Sequence, residues 1–114
     1  MITYEEMEKK HSDMYEYGFH LQCGAGWFSL IDELFTKIKE IDDSVKIVQL
    51  KEKFGGLRCY TGSVNSLTAE KVWKLISEYE NKSYTVCEAC GKEGTLEKVK
   101  GWCTTLCNKC KQEK

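Results

Sequence analysis

The chain has 114 residues, 41% of them apolar and 31% charged, with a formal net charge of −1. That composition excludes disorder and fits one domain of ordinary size, or a small core with an appendage. No apolar run approaches a bilayer span and no basic-then-apolar leader opens the chain, so a soluble cytoplasmic protein is expected, and near-neutral charge gives no global footprint for nucleic acid. The charge is uneven: residues 1–43 carry −6, residues 44–81 carry +2 and residues 82–114 carry +3. An acidic front and a mildly basic back could place an anion site in the second half, although the asymmetry is too small to establish one.

In chain order, Thr3-x-x-Glu6 is a capping-box pattern that opens a helix over 4–16. Tyr4, Met7, His11, Met14 and Tyr15 recur at helical spacing, and Gly18 is the stop. The stripe is thin, which places this helix on the surface of the core. Phe19 to Cys23 reads as a short extended segment. His20-x-x-Cys23 has the spacing of half a metal site, with no second half nearby unless His11 or Cys59 folds against it. A structural histidine and a buried free thiol are the preferred reading. Gly24-Ala25-Gly26-Trp27 leads into a strongly amphipathic helix, with Leu30, Ile31, Leu34, Phe35, Ile38 and Ile41 on one side and Asp32, Glu33, Lys37 and Lys39 on the other. A glycine-rich turn before a helix N-terminus leaves N–H groups that can receive an anion. Capping by Ser29-x-x-Asp32 could equally satisfy them. Trp27 is either core or a stacking surface, with core preferred.

Asp42-Asp43-Ser44 turns the chain into Val45–Tyr60, the stretch around which the rest is organised. A β-branched run leads to Gly55-Gly56, a hairpin signal because both residues accept positive φ. Alternation places Val48, Leu50, Glu52 and Phe54 on one face and Ile47, Gln49, Lys51 and Lys53 on the other. Lys51 and Lys53 project together and Arg58 follows the turn. Gly55 and Gly56, flanked by three cations, therefore make a candidate anion site. On residue chemistry alone the preferred reading is an ordinary solvent face with lysines guarding a sheet edge. After a loop at 61–66, a second amphipathic helix over 68–81 buries Val72, Leu75, Ile76 and Tyr79, with Trp73 at its margin. Both longer helices need a surface. The expected fold is α+β, with two or three helices packed on a small antiparallel hairpin or sheet.

Seven cysteines without a secretion signal point to metal rather than disulfides. Cys87-x-x-Cys90-Gly91 is a knuckle, and Cys107-x-x-Cys110 follows after a hairpin made of Thr95–Val99 and Trp102–Leu106 across Lys100-Gly101. Two such pairs match a structural four-thiolate zinc site, one Zn2+ per chain, in a zinc ribbon or treble clef. Cys103 is excluded because Cys107 pairs properly with Cys110. About 28 residues cannot bury enough surface to fold alone, so the metal is needed. The division expected is a core over 1–83 and a zinc module over 84–114. Lys92, Lys98, Lys100, Lys109, Lys111 and Trp102 could form a phosphate-and-stacking surface. Glu88, Glu93 and Glu97 dilute it, and a buttress or protein contact is preferred.

Gly24-Ala25-Gly26-Trp27-Phe28, Lys51-Glu52-Lys53-Phe54-Gly55-Gly56-Leu57-Arg58-x-Tyr60, the two cysteine pairs and Gly101-Trp102 together resemble a family of small bacteriophage and prophage proteins without an assigned activity. The resemblance covers residues 23–110, and the Lys-Glu-Lys-Phe-Gly-Gly-Leu-Arg string is its most specific part. Where that family has Gly-Asp-Gly-Trp this chain has Ala25, so no metal or acid–base role falls to that position. The resemblance implies a phage setting, the host cytoplasm, and a role in blunting host defence. No Ser-His-Asp order and no open metal site suggest an enzyme. The first expectation is a non-catalytic binder of an anionic small molecule, a nucleotide defence signal. It would use Lys51, Lys53 and Arg58 for phosphate, Gly24, Gly26, Gly55 and Gly56 for N–H donors, and Trp27 or Tyr60 for stacking. The second is a protein-interaction inhibitor of a host defence enzyme, its acidic front mimicking nucleic acid. The third is a zinc-ribbon nucleic-acid binder. A homodimer would suit a sequestering protein.

Overall fold

The computed structural model describes residues 2–16 and 19–113. Thr3 opens α1 (Tyr4–His11): its hydroxyl accepts from the Glu6 N–H, and the Glu6 carboxylate accepts from the Thr3 N–H. The helix expected over 4–16 stops at His11 and continues only as a 3-10 turn at Ser12–Met14. It stops because the next residues join the sheet. Tyr15 bridges to Ile47, and the Glu16 N–H donates to the Ile47 carbonyl at 3.1 Å. The stop expected at Gly18 lies outside the described residues.

The extended segment forms β1 (Leu21–Gln22), which pairs parallel with β2 (Ile47–Lys53); β2 pairs antiparallel with β3 (Gly56–Thr61). The sheet is thus mixed, in the order β1-β2-β3, and not antiparallel throughout. Two details depart from simple alternation. An irregularity between Ile47 and Gln49 breaks the period of two, so Ile47 and Leu50 are both buried while Val48 is 47% exposed. The face assignment of Ile47 and Val48 is corrected accordingly. The turn also sits one residue earlier than Gly55-Gly56. Phe54 (φ 54°) and Gly55 (φ 85°) take the left-handed positions, and Gly56 already pairs with Lys53. Gly56 is required for space instead, since a Cβ there would lie 2.5 Å from the Tyr84 ring.

Ile47, Leu50, Leu57 and Cys59 join α2 (Phe28–Ile41) and α3 (Ala69–Lys82) in one core. The two helices follow the expected stripes: α2 buries Ile31, Leu34, Phe35 and Ile38, and α3 buries Val72, Ile76 and Tyr79. The Tyr79 hydroxyl donates to Glu33 Oε1 at 2.6 Å, tying α3 to α2. The outer edge of β3 is closed by side chains. The Leu57 N–H donates to Ser83 Oγ at 2.9 Å and the Cys59 N–H to Glu80 Oε2 at 3.0 Å. Buried His11 fastens α1 to α2, with its ring edge-on to Phe35 and its Nε2 2.7 Å from Asp32 Oδ1. The last third forms a second, two-stranded sheet from β4 (Thr95–Val99) and β5 (Trp102–Leu106), antiparallel, followed by α4 (Asn108–Gln112). Among the described residues no helix is long and apolar enough to cross a membrane.

Candidate metal centre and cation face

The sulfurs of Cys87, Cys90, Cys107 and Cys110 all lie within 4.8 Å of one another, the one such group of possible ligands among the described residues. Cys87 and Cys90 come from the knuckle, Cys107 caps α4, and Cys110 lies within that helix. The knuckle is shaped by the Gly91 N–H donating to the Cys87 carbonyl at 2.9 Å, with Gly91 at φ 84°. A tetrahedral ion with metal–sulfur bonds of about 2.3 Å sets its sulfurs about 3.8 Å apart. Cys90 and Cys107 stand 3.7 Å apart, so the set fits a metal ion and leaves no open position for chemistry. Burial pushes the Cys87 thiol up, but backbone groups of Cys107, Cys90 and Ala89 outweigh it and hold the thiol down to about 6. Cys103 stands outside the group. Cys23 does too, its thiol pushed up by burial to about 12, and His20 is exposed.

The Gly24–Gly26 turn carries the knuckle. The Gly26 N–H donates to the Glu88 carbonyl at 2.7 Å, and the Gly24 N–H donates to Glu88 Oε2 at 2.8 Å. The carboxylate that meets the start of α2 is therefore internal. Ser29 makes no cap, and Asp32 turns to His11 and Lys10. Trp27 is fully buried, and its indole N–H donates to the Val86 carbonyl at 2.8 Å. Neither its ring nor the Gly24 and Gly26 amides are open to a ligand. The lone acidic residue inside the knuckle, Glu88, was the only sequence signal of this arrangement.

Gly55 and Gly56 are also covered. The Gly55 N–H donates to Glu52 Oε2 at 2.7 Å, and its carbonyl accepts from Thr105 Oγ1 at 2.7 Å. Leu96 packs against Gly55 and Tyr84 against Gly56.

The four remaining candidates do share a face. The register opposes Lys51 to Arg58, Gln49 to Tyr60 and Lys53 to Gly56, so Lys51, Lys53, Arg58 and Tyr60 project from the side of the sheet away from Leu50, Leu57 and Cys59. The Lys51 ammonium lies 6.0 Å from the centre of the Tyr60 ring. The Arg58 guanidinium donates to the Leu57 carbonyl at 3.1 Å and to the Tyr84 hydroxyl at 3.3 Å. Tyr84, which orients this guanidinium, carried no motif by which the sequence could have singled it out. No protein-family profile, no curated protein and no solved structure matches this chain.

Proposed function

We propose that this chain is a non-enzymatic, bacteriophage-type binding protein of the host cytoplasm that captures an anionic small molecule, a nucleotide used as a host-defence signal. One observation carries the reading. Lys51 and Arg58 stand directly opposite each other on β2 and β3, a pairing that like charges disfavour. Among the described residues no carboxylate forms an ion pair with either. A phosphate between them would replace repulsion with charge-assisted hydrogen bonds. Lys53 adds a third cation on the same face and exposed Tyr60 a ring for stacking. An all-thiolate, closed ligand set suits zinc in a structural role, holding the C-terminal hairpin in place. The phage setting rests on the resemblance of the motifs.

Native mass spectrometry of the protein as purified from its host, followed by a denatured run, tests both parts. One zinc per chain and an extra non-covalent mass in the nucleotide range are expected. Arg58→Ala and Lys51→Ala should lose the ligand and keep the zinc. A preparation without zinc would remove the metal assignment. A partner protein retained in place of a ligand would turn the reading to an inhibitor of a host enzyme. The openness of the face favours one second reading, single-stranded nucleic acid laid across the sheet, and a steep fall in affinity with salt would select it.

A further inference from the structure

A cleft of about 480 Å3, within the range of small-molecule sites, opens between the Phe54-Gly55 turn and the tip of the β4–β5 hairpin. Glu52, Phe54, Lys98, Trp102, Cys103 and Thr104 line it. Phe54 holds a left-handed φ of 54°, at a turn position where Asn, Asp or Gly sit without strain. Its ring is 69% exposed, so burial does not explain the choice of a large aromatic residue there. Trp102 is 76% exposed on the facing hairpin. Two large rings kept in water at one cleft call for a planar partner.

The polar groups narrow the partner further. Glu52 and Lys98 line the same cleft without forming an ion pair with each other. The Glu52 carboxylate is fixed at the wall by the Gly55 N–H and has further lone pairs to offer. The cleft thus presents a fixed acceptor and an exposed cationic donor beside two aromatic surfaces. Guanine answers both, with adjacent N1–H and N2–H donors on one edge and the O6 and N7 acceptors on another.

We propose that this cleft takes a guanine-type base, its ring against Phe54 and Trp102, its N–H edge on Glu52 and its O6/N7 edge on Lys98. The proposal deepens the nucleotide reading and rests on it, but moves the base from Tyr60 to this cleft. The Lys53 ammonium lies 5.7 Å from the Phe54 ring centre, which brings one cation of the opposite sheet face to the aromatic wall of the cleft.

Nitrogen-15 NMR of the full, zinc-loaded chain tests it through the indole N–H signals of Trp27, Trp73 and Trp102. Guanosine 5′-monophosphate should move Trp102 and leave buried Trp27 in place. Phe54→Asn suits the left-handed turn better than phenylalanine, so it should keep fold and zinc while weakening binding about tenfold. Glu52→Gln should erase the preference for guanosine over adenosine. Guanosine, which has no phosphate, reports on the cleft alone, and inorganic pyrophosphate on the cation face alone. Binding of pyrophosphate with no response of Trp102 to guanosine would overturn the cleft and spare the cation face. Equal affinity for adenosine would overturn the guanine assignment. A Trp102 signal that moves with protein concentration instead of nucleoside would make the cleft a self-association surface and end the proposal.

Discussion

At Gly26 one methyl group would part the start of α2 from the cysteine knuckle. A Cβ there would lie 2.5 Å from the Glu88 carbonyl oxygen, an atom held by the knuckle backbone and unable to step aside. Gly26→Ala should therefore destabilise by about 1–3 kcal/mol or more and lower metal retention. Gly62→Ala, whose Cβ would meet nothing closer than 3.7 Å, should be tolerated in the same denaturation series. His11 makes a prediction of a different kind. Burial holds its pKa below 6.5, outweighing the raising effect of Asp32. With Nε2–H donated to Asp32, the partnerless Nδ1 costs little as a bare lone pair but much as a buried N–H. The unfolded chain thus takes up this proton first as pH falls. The stability tied to neutral His11 is present above about pH 6.5 and lost as pH drops toward its lower folded pKa. Urea melts at pH 7.5 and 5.5 should show that loss, and His11→Gln should flatten the slope.

Among the elements, β3 depends on α3 for more than packing. Ser83 Oγ accepts from the buried Leu57 N–H on the strand's outer edge, and its own O–H donates to the Glu80 carbonyl at 2.5 Å. Ser83→Ala should cost about 1–3 kcal/mol by thermal melt and leave the metal content unchanged. Elements with strong local codes were legible in the sequence: the Thr3–Glu6 cap, the stripes of α2 and α3, and the β4–β5 hairpin. What was not legible came from partners distant in sequence. The end of α1 is set by Ile47, the displaced turn by Tyr84 and Leu96 packing on Gly56 and Gly55, and the reversal of Val48 by a sheet irregularity. The same holds for the candidate site. Cys-x-x-Cys spacing reads directly as a metal centre, whereas a Gly-x-Gly turn reads alike whether it receives a phosphate or, as here, a carboxylate from a residue 64 positions on.

For the whole molecule, the four-cysteine module is the clamp on α2 and the first sheet. Glu88 meets the start of α2, and Thr105 holds the β2–β3 turn. Chelation under reducing conditions should lower the melting temperature and shift the emission of buried Trp27, although Trp27 ligates nothing. Cys90→Ser and Cys107→Ser should reproduce the effect, while Cys59→Ser and Cys103→Ser should retain full metal content by elemental analysis. The Trp27–Val86 bond also imposes an order in time. The indole N–H emerges during synthesis 59 residues before its carbonyl partner, several seconds at about 5–20 residues per second. Through that interval the entrance to α2 lacks its cover, and the nascent chain presents an unfinished core to the cell's chaperones. The stretch made last is the one that closes the stretch made early, so a chain cut short before Val86 should fail first at α2 and not at its new end.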